Sequence, residues 1–204
     1  MLPLTKSISN EPGYRSPPRR IFLDTNILQY LQDFGEFIFD HYQEDEEYLI
    51  SPRGKKILTG SALYKEIEAL RFLFLGVDRT NIEFVVSEST FEEVKKKQDN
   101  AYRRWFFEMW DYWQNILREY EGRAPSKLAG SQLDKFDQDQ SILGRLSKSD
   151  SRIIRDAIFF DCHAVLTADK FLDLHKEIEA KYKLMILCPT GFLKLIEPSQ
   201  ALWY

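Results

Sequence analysis

The chain contains few of the residues on which disulfide-rich and fibrous proteins depend. Cys162 and Cys188 are its only two cysteines, too few for a disulfide framework. Nine glycines and eight prolines exclude a collagen-like or low-complexity chain. No apolar run approaches the roughly 18 residues that cross a bilayer, and residues 1–10 lack the pattern of a secretory signal. We therefore expect a cytoplasmic protein in a reducing compartment, with no membrane partner.

The charge balance excludes a protein that is basic over its whole surface. The 28 Lys and Arg residues are outnumbered by 32 Asp and Glu residues, so the net charge is −4. Nucleic-acid binding would therefore need a local basic face. Hydrophobic residues make up 44% of the chain and aromatic residues 14%, which is enough for a sizeable core in a chain of 204 residues.

Short apolar runs alternate with segments of helical periodicity along most of the chain. The runs predict four strands, at 20–24, 84–87, 164–167 and 184–188. Alternation of this kind is typical of a parallel sheet covered by helices. The prediction is an α/β fold with three layers, α/β/α, around a central parallel sheet of four to five strands.

The predicted strands and helices occupy one domain that follows an irregular N-terminal arm. Residues 1–18 form the arm, and residues 19–204 form the domain, with helical insertions near 35–60 and 99–146. The second insertion carries a stripe of aromatic residues at 102–120, which predicts a helix packed into the core. Aromatic side chains outside the stripe leave a homodimer open.

Four acidic residues lie near the edge of the sheet where the strands end. Asp24 ends the first strand, Glu93 follows the second, and Asp169 follows the third, while Asp150 opens the helix before the third strand. Ligands of parallel sheets bind at this carboxyl edge. Each acid can instead be a helix-capping or first-turn residue. Together, however, they would repel one another unless a cation lay between them, and Mg²⁺ and Mn²⁺ prefer such oxygen ligands.

The segments around these acids resemble the motifs of PIN-domain nucleases. The similar segments, in family order, are IFLDTNILQYL, VVSESTFEEV, SDSRIIRDA, AVLTADKFL and LMILCPTGFL. The resemblance covers about residues 19–196, apart from two poorly matched stretches at 35–60 and 99–146. It implies a PIN-like fold and a Mg²⁺- or Mn²⁺-dependent endoribonuclease, either toxin-like with an antitoxin partner or active in RNA processing.

The resemblance also implies which residues hold the metal and which orient its ligands. The metal-binding and catalytic residues would be Asp24, Glu93, Asp150 and Asp169. Their carboxylates would hold ions that activate water and stabilise the leaving oxygen, and Asn26 and Thr167 would orient them. Basic residues next to the acids are candidates for gripping RNA phosphates: Arg20, Arg145, Lys148, Arg152 and Lys170.

Two of the four acids have rivals nearby in the sequence. Glu92 rivals Glu93, and spacing alone does not decide between them. Either glutamate could instead serve a capping box, since Ser89 to Glu92 and Thr90 to Glu93 both fit. Asp156 rivals Asp150, and ranks lower because, six residues further along a helix, it is expected to face elsewhere.

Other functions compete with the ribonuclease hypothesis. One is a catalytically inactive PIN-like scaffold that binds RNA or a protein partner, and another is a structure-specific DNA nuclease, since a fold does not determine its substrate. A zinc site at Cys162 and His163 is disfavoured, because the sequence has no second pair of ligands with metal-type spacing.

Overall fold

The fold is centred on a four-stranded parallel sheet. The computed structural model of the chain describes residues 18–39, 62–75, 82–118, 125–168 and 174–197, with only the backbone at residues 75 and 110–118. The strands are β1 (Arg20–Leu23), β2 (Glu83–Val85), β3 (Ala164–Leu166) and β4 (Met185–Leu187). They lie in the order β2-β1-β3-β4, and all neighbours are parallel. The predicted α/β class and the four predicted strands are confirmed.

Helices connect the strands and follow the last one. Their bounds are α1 (Thr25–Asp33), α2 (Gly35–Phe39), α3 (Ala62–Leu75), α4 (Glu88–Lys96), α5 (Asn100–Arg118), α6 (Lys127–Gln138), α7 (Gln140–Leu143), α8 (Lys148–Phe159), α9 (His175–Tyr182) and α10 (Pro189–Ile196). Helices α6 and α7 lie within the helical insertion predicted near 99–146. They form because Leu133, Phe136 and Ile142 bury their side chains in the same core as the apolar residues of α8, and tertiary packing of this kind outweighs local propensity.

Alternating side chains of the strands build two hydrophobic cores, one on each face of the sheet. Ile21 and Leu23 of β1 pack with residues of α1 to α5 and α10, whereas Phe22 between them packs with residues of α6 to α9. Successive residues of a strand point to opposite faces, so the central residues of a strand whose sheet is covered on both faces are apolar in succession. The helices therefore lie on both faces, an arrangement compatible with three α/β/α layers.

The parallel register brings the ends of three strands together at one edge. Leu23 pairs with Leu166, so that Asp24 and Thr167, the next residue of each strand, are neighbours. Ser87 follows β2 on the other side of β1. The carboxyl edge of the sheet therefore carries these three polar side chains, all of them buried.

In the part of the chain that the structure describes, no helix is both long enough and apolar enough to span a membrane.

An ion-pair network joins α7 to α9 on the outer side of the fold. The carboxylate of Asp139 accepts hydrogen bonds from Lys181 Nζ at 2.8 Å, from the Tyr182 hydroxyl at 2.8 Å and from Ser141 N at 3.1 Å. These hydrogen bonds, with that from Lys181 the strongest, hold the pKa of Asp139 well below its ordinary value of 3.8. The carboxylate is therefore more stable as an ion in the folded chain than in the unfolded chain.

This network predicts a specific loss of stability in acid. A carboxylate with a lowered pKa stabilises the fold above the ordinary pKa of 3.8 and loses that contribution as the pH falls below it. We expect Asp139→Asn to melt below the wild type near pH 7, and the gap between their Tm values to narrow progressively below pH 3.8. Thermal melts at several pH values measure the gap. Asp134→Asn, an exposed change on α6, serves as the control, and an Asp139→Asn gap independent of pH would contradict the prediction.

Candidate active site

Asp24 lies at the carboxyl end of β1, directly before α1. It is the N-cap residue of α1, yet its carboxylate makes no capping hydrogen bond. The carboxylate accepts hydrogen bonds from Thr167 Oγ1 at 2.6 Å and from Thr25 Oγ1 at 3.2 Å, and the residue is only 2% exposed. The alternative that Asp24 is present to cap α1 is therefore wrong.

Glu93 of α4 reaches the same threonine hydroxyl. Thr25 Oγ1 lies 2.9 Å from Glu93 Oε1, so one hydroxyl bridges the carboxylates of Asp24 and Glu93. A hydroxyl has one proton and donates it to one acceptor at a time. Two negative carboxylates thus share a single hydrogen-bond donor. Their oxygens are the kind of ligand that suits a divalent cation bound between them. On the outer side, Lys97 Nζ lies 3.5 Å from Glu93 Oε1.

The geometry distinguishes Glu93 from Glu92. Helix α4 is capped by Ser87, whose Oγ accepts from Thr90 N at 3.3 Å, while Thr90 Oγ1 accepts from Ser87 N at 3.4 Å. Both predicted capping boxes, which began at Ser89 and Thr90, are wrong, and neither glutamate caps the helix. The Glu92 side chain is 46% exposed and lies 3.9 Å from Lys95 Nζ. Glu93 is the one that faces Asp24.

Of the two aspartates of α8, Asp150 caps its own helix. Its Oδ2 accepts from Ser147 N at 3.2 Å, and its amide donates to Ser147 Oγ at 3.1 Å, which completes a capping box. Asp150 therefore has the structural role at a helix start that was the alternative to metal binding. Only Oδ2 of the carboxylate accepts this hydrogen bond, so Oδ1 can still bind a metal ion.

Asp156 faces the carboxyl edge of the sheet, contrary to expectation. Its Oδ2 accepts from Ser87 Oγ at 2.6 Å, so it supports the residue that caps α4. The expectation failed because α8 packs against α4. Asp156 lies four residues after Arg152, on the same face of α8, and this face is directed toward α4. Asp156 thus has a structural partner at the site.

Tyr102 of α5 fixes the backbone beside the acidic pair. Its hydroxyl donates to the carbonyl oxygen of Thr25 at 3.0 Å, and its side chain is fully buried. Burial, with the nearby charges of Glu93 and Asp24, raises the pKa of Tyr102 far above its ordinary value, so the hydroxyl keeps its proton and stays a donor. The aromatic stripe correctly placed Tyr102 in the core but gave no sign of this contact.

The other residues expected to orient or join the metal ligands differ in position. Thr167 contacts Asp24 directly, as an orienting role requires. Asn26 is half-buried in the first turn of α1, and Thr25, which the sequence did not single out, makes the contact instead. Asp169 lies outside the described residues. Among those that are described, no group of three or more His, Cys, Asp or Glu side chains is placed to hold a metal ion.

The basic candidates for RNA binding fall into two sets. Arg20 begins β1, at the opposite end from Asp24, and lies 2.7 Å from Glu83, while Arg145 lies 2.8 Å from Glu177. Lys148 and Arg152 instead line a cavity that also contains Glu93. Lys170 lies outside the described residues.

Cys162 and His163 are placed as structural residues and not as metal ligands. Burial raises the pKa of the Cys162 thiol, which disfavours the thiolate that a metal would need. His163 Nδ1 accepts from the amide of Arg20 at 3.2 Å.

Comparison with known proteins gives no match, whether with protein-family models, with curated proteins or with solved structures.

Proposed function

We propose that this protein is a PIN-like, divalent-metal-dependent endoribonuclease. The observation that carries the proposal is the pair formed by Asp24 and Glu93. Asp24 is buried at the carboxyl end of a central strand, makes no capping bond, and shares the hydroxyl of Thr25 with Glu93. This is the edge at which parallel sheets bind ligands, and two facing carboxylates are the start of a Mg²⁺ or Mn²⁺ site.

The proposed ligands are Asp24 and Glu93, joined by Asp150 and Asp169 as the PIN resemblance implies. When bound, Mg²⁺ or Mn²⁺ would lower the pKa of a water molecule and stabilise the leaving oxygen of a phosphodiester.

The remaining residues of the site would hold the ligands in place. Thr167 and Thr25 fix the two oxygens of Asp24, and Tyr102 fixes Thr25 through its backbone. Ligands that are fixed before binding lose little conformational freedom when they engage, so the protein need not reorganise during the reaction. We propose RNA as the substrate, in a toxin that pairs with an antitoxin or in an RNA-processing enzyme.

A direct cleavage assay tests the proposal. Labelled single-stranded RNA and DNA of one sequence are incubated with the protein in Mg²⁺, in Mn²⁺ and in EDTA. We expect internal cleavage of RNA in either metal, none in EDTA and little of DNA. RNA bound but not cut in every metal would favour the inactive scaffold, and DNA cut as fast as RNA would favour the DNA nuclease.

A further inference from the structure

A cavity of about 390 Å³ opens between α4 and α8 beside the acidic pair. Glu93 belongs both to its lining and to the contact with Thr25, so the cavity adjoins the proposed active site. The polar residues that line it come from the two helices: Ser89, Glu93 and Lys96 from α4, and Lys148, Ser149 and Arg152 from α8.

The three basic side chains of this cavity are not neutralised within the described part of the chain. The side chains of Lys96, Lys148 and Arg152 make no ion pair or hydrogen bond there, in contrast to that of Arg145, which pairs with Glu177. The one acidic residue of the lining, Glu93, lies 3.5 Å from Lys97 outside it. The cavity therefore carries a net positive charge.

Two helices also begin at the cavity. Ser89 is the second residue of α4, and Lys148 and Ser149 are the first two of α8. The capping side chains satisfy the amides of Thr90 and Asp150, one turn in. Within the described residues, the backbone amides of Ser89, Lys148 and Ser149 donate no hydrogen bond. Free amides and the positive ends of two helix dipoles favour an anion.

We propose that this cavity binds a phosphate group of the RNA strand, next to the phosphodiester that the acidic pair would cut. Phosphate matches the lining because its oxygens accept hydrogen bonds from ammonium, guanidinium, hydroxyl and amide groups alike. The inference rests on the proposed ribonuclease function. It assigns phosphate binding to Lys96 as well as to Lys148 and Arg152.

Binding of RNA without metal tests the inference separately from cleavage. A labelled single-stranded RNA is titrated in EDTA, at several salt concentrations, with the wild type, with Lys96→Gln and with the double variant Lys148→Gln/Arg152→Gln. The charge-matched controls are Lys95→Gln, on the same helix but 62% exposed, and Lys95→Gln/Lys194→Gln. Unlabelled RNA and inorganic phosphate are added as competitors.

We expect the Lys148→Gln/Arg152→Gln variant to bind RNA at least about tenfold more weakly and Lys96→Gln a few-fold more weakly, with the controls within about twofold of the wild type. The salt slope should fall by about 0.7 for each RNA phosphate that the variant no longer neutralises. Competition by inorganic phosphate alone as strongly as by RNA would indicate a site for free phosphate and overturn the assignment. Equal affinities of cavity variants and controls, or no RNA binding by the wild type, would also overturn it. Binding through the cavity without cleavage in any metal would contradict the nuclease function alone.

Discussion

Asp24→Asn is expected to lower metal-dependent RNA cleavage at least about a hundredfold, the upper end of the effect of losing a residue that only supports a metal ligand. The substitution removes a negative charge at the centre of the proposed site and almost no volume. Asparagine keeps a carbonyl oxygen that can accept the hydrogen bond from Thr167, so the strand end and α1 should remain in place. The fold should survive while metal binding fails.

Two measurements check this expectation. One is the rate of RNA cleavage in Mn²⁺, and the other is the rise in Tm on adding Mn²⁺, since an ion that binds only the folded state stabilises it. The wild type should gain Tm and Asp24→Asn should not. Glu92→Gln is the control, because it makes the same carboxylate-to-amide change on an exposed side chain. Wild-type cleavage by Asp24→Asn would remove Asp24 from the site.

The sheet was predictable because each strand is centred on a short apolar run, and β1 and β3 are each followed directly by a polar residue. Ile21, Phe22 and Leu23 are buried on alternate faces of a covered sheet, so none of these three positions can be polar. Asp24 and Thr167 then stand together because parallel strands of equal register end at the same edge. The sequence therefore located the edge and one contact of the site.

Details of helix ends and helix faces were not predictable to the same degree. Ser87, Ser89 and Thr90 are all good N-cap residues within four positions. The choice of Ser87 depends on where β2 ends and on its contact with Asp156, 69 positions away in the chain. The direction of Asp156 depends likewise on the packing of α8 against α4, which no local pattern contains.

Thr25 is the residue of the site that the sequence motif did not identify. Roles were predicted for Asp24 and Asn26 but not for the residue between them. Its hydroxyl nevertheless bridges the two carboxylates. A β-branched hydroxyl residue directly after a strand-end acid is a signal for such a bridge, because its restricted χ1 holds the oxygen near the helix start.

The two aspartates of α8 provide the second large expected effect. We expect Asp150→Asn to lose cleavage by about a hundredfold, and Asp156→Asn to lose less than tenfold. Asp156 is engaged by Ser87 Oγ at 2.6 Å and supports the cap of α4. Asp150 stands in the first turn of α8, two positions from Lys148 and from Arg152, which line the cavity together with Glu93. Its proposed role as a ligand comes from the PIN resemblance.

The two variants are well matched for this comparison. Each asparagine keeps an oxygen that can accept the existing hydrogen bond, from Ser147 N at position 150 and from Ser87 Oγ at position 156. Each hydrogen bond loses its ionic component, so both variants should fold but be less stable than the wild type, with a free energy of unfolding lower by about 1 kcal/mol. Cleavage rate and the Mn²⁺-dependent rise in Tm then separate them: Asp150→Asn should lose both, whereas Asp156→Asn should keep the rise in Tm and cleave RNA within about tenfold of the wild-type rate. If Asp156→Asn loses both while Asp150→Asn keeps them, the third ligand is Asp156, and Asp150 is only the capping residue of α8.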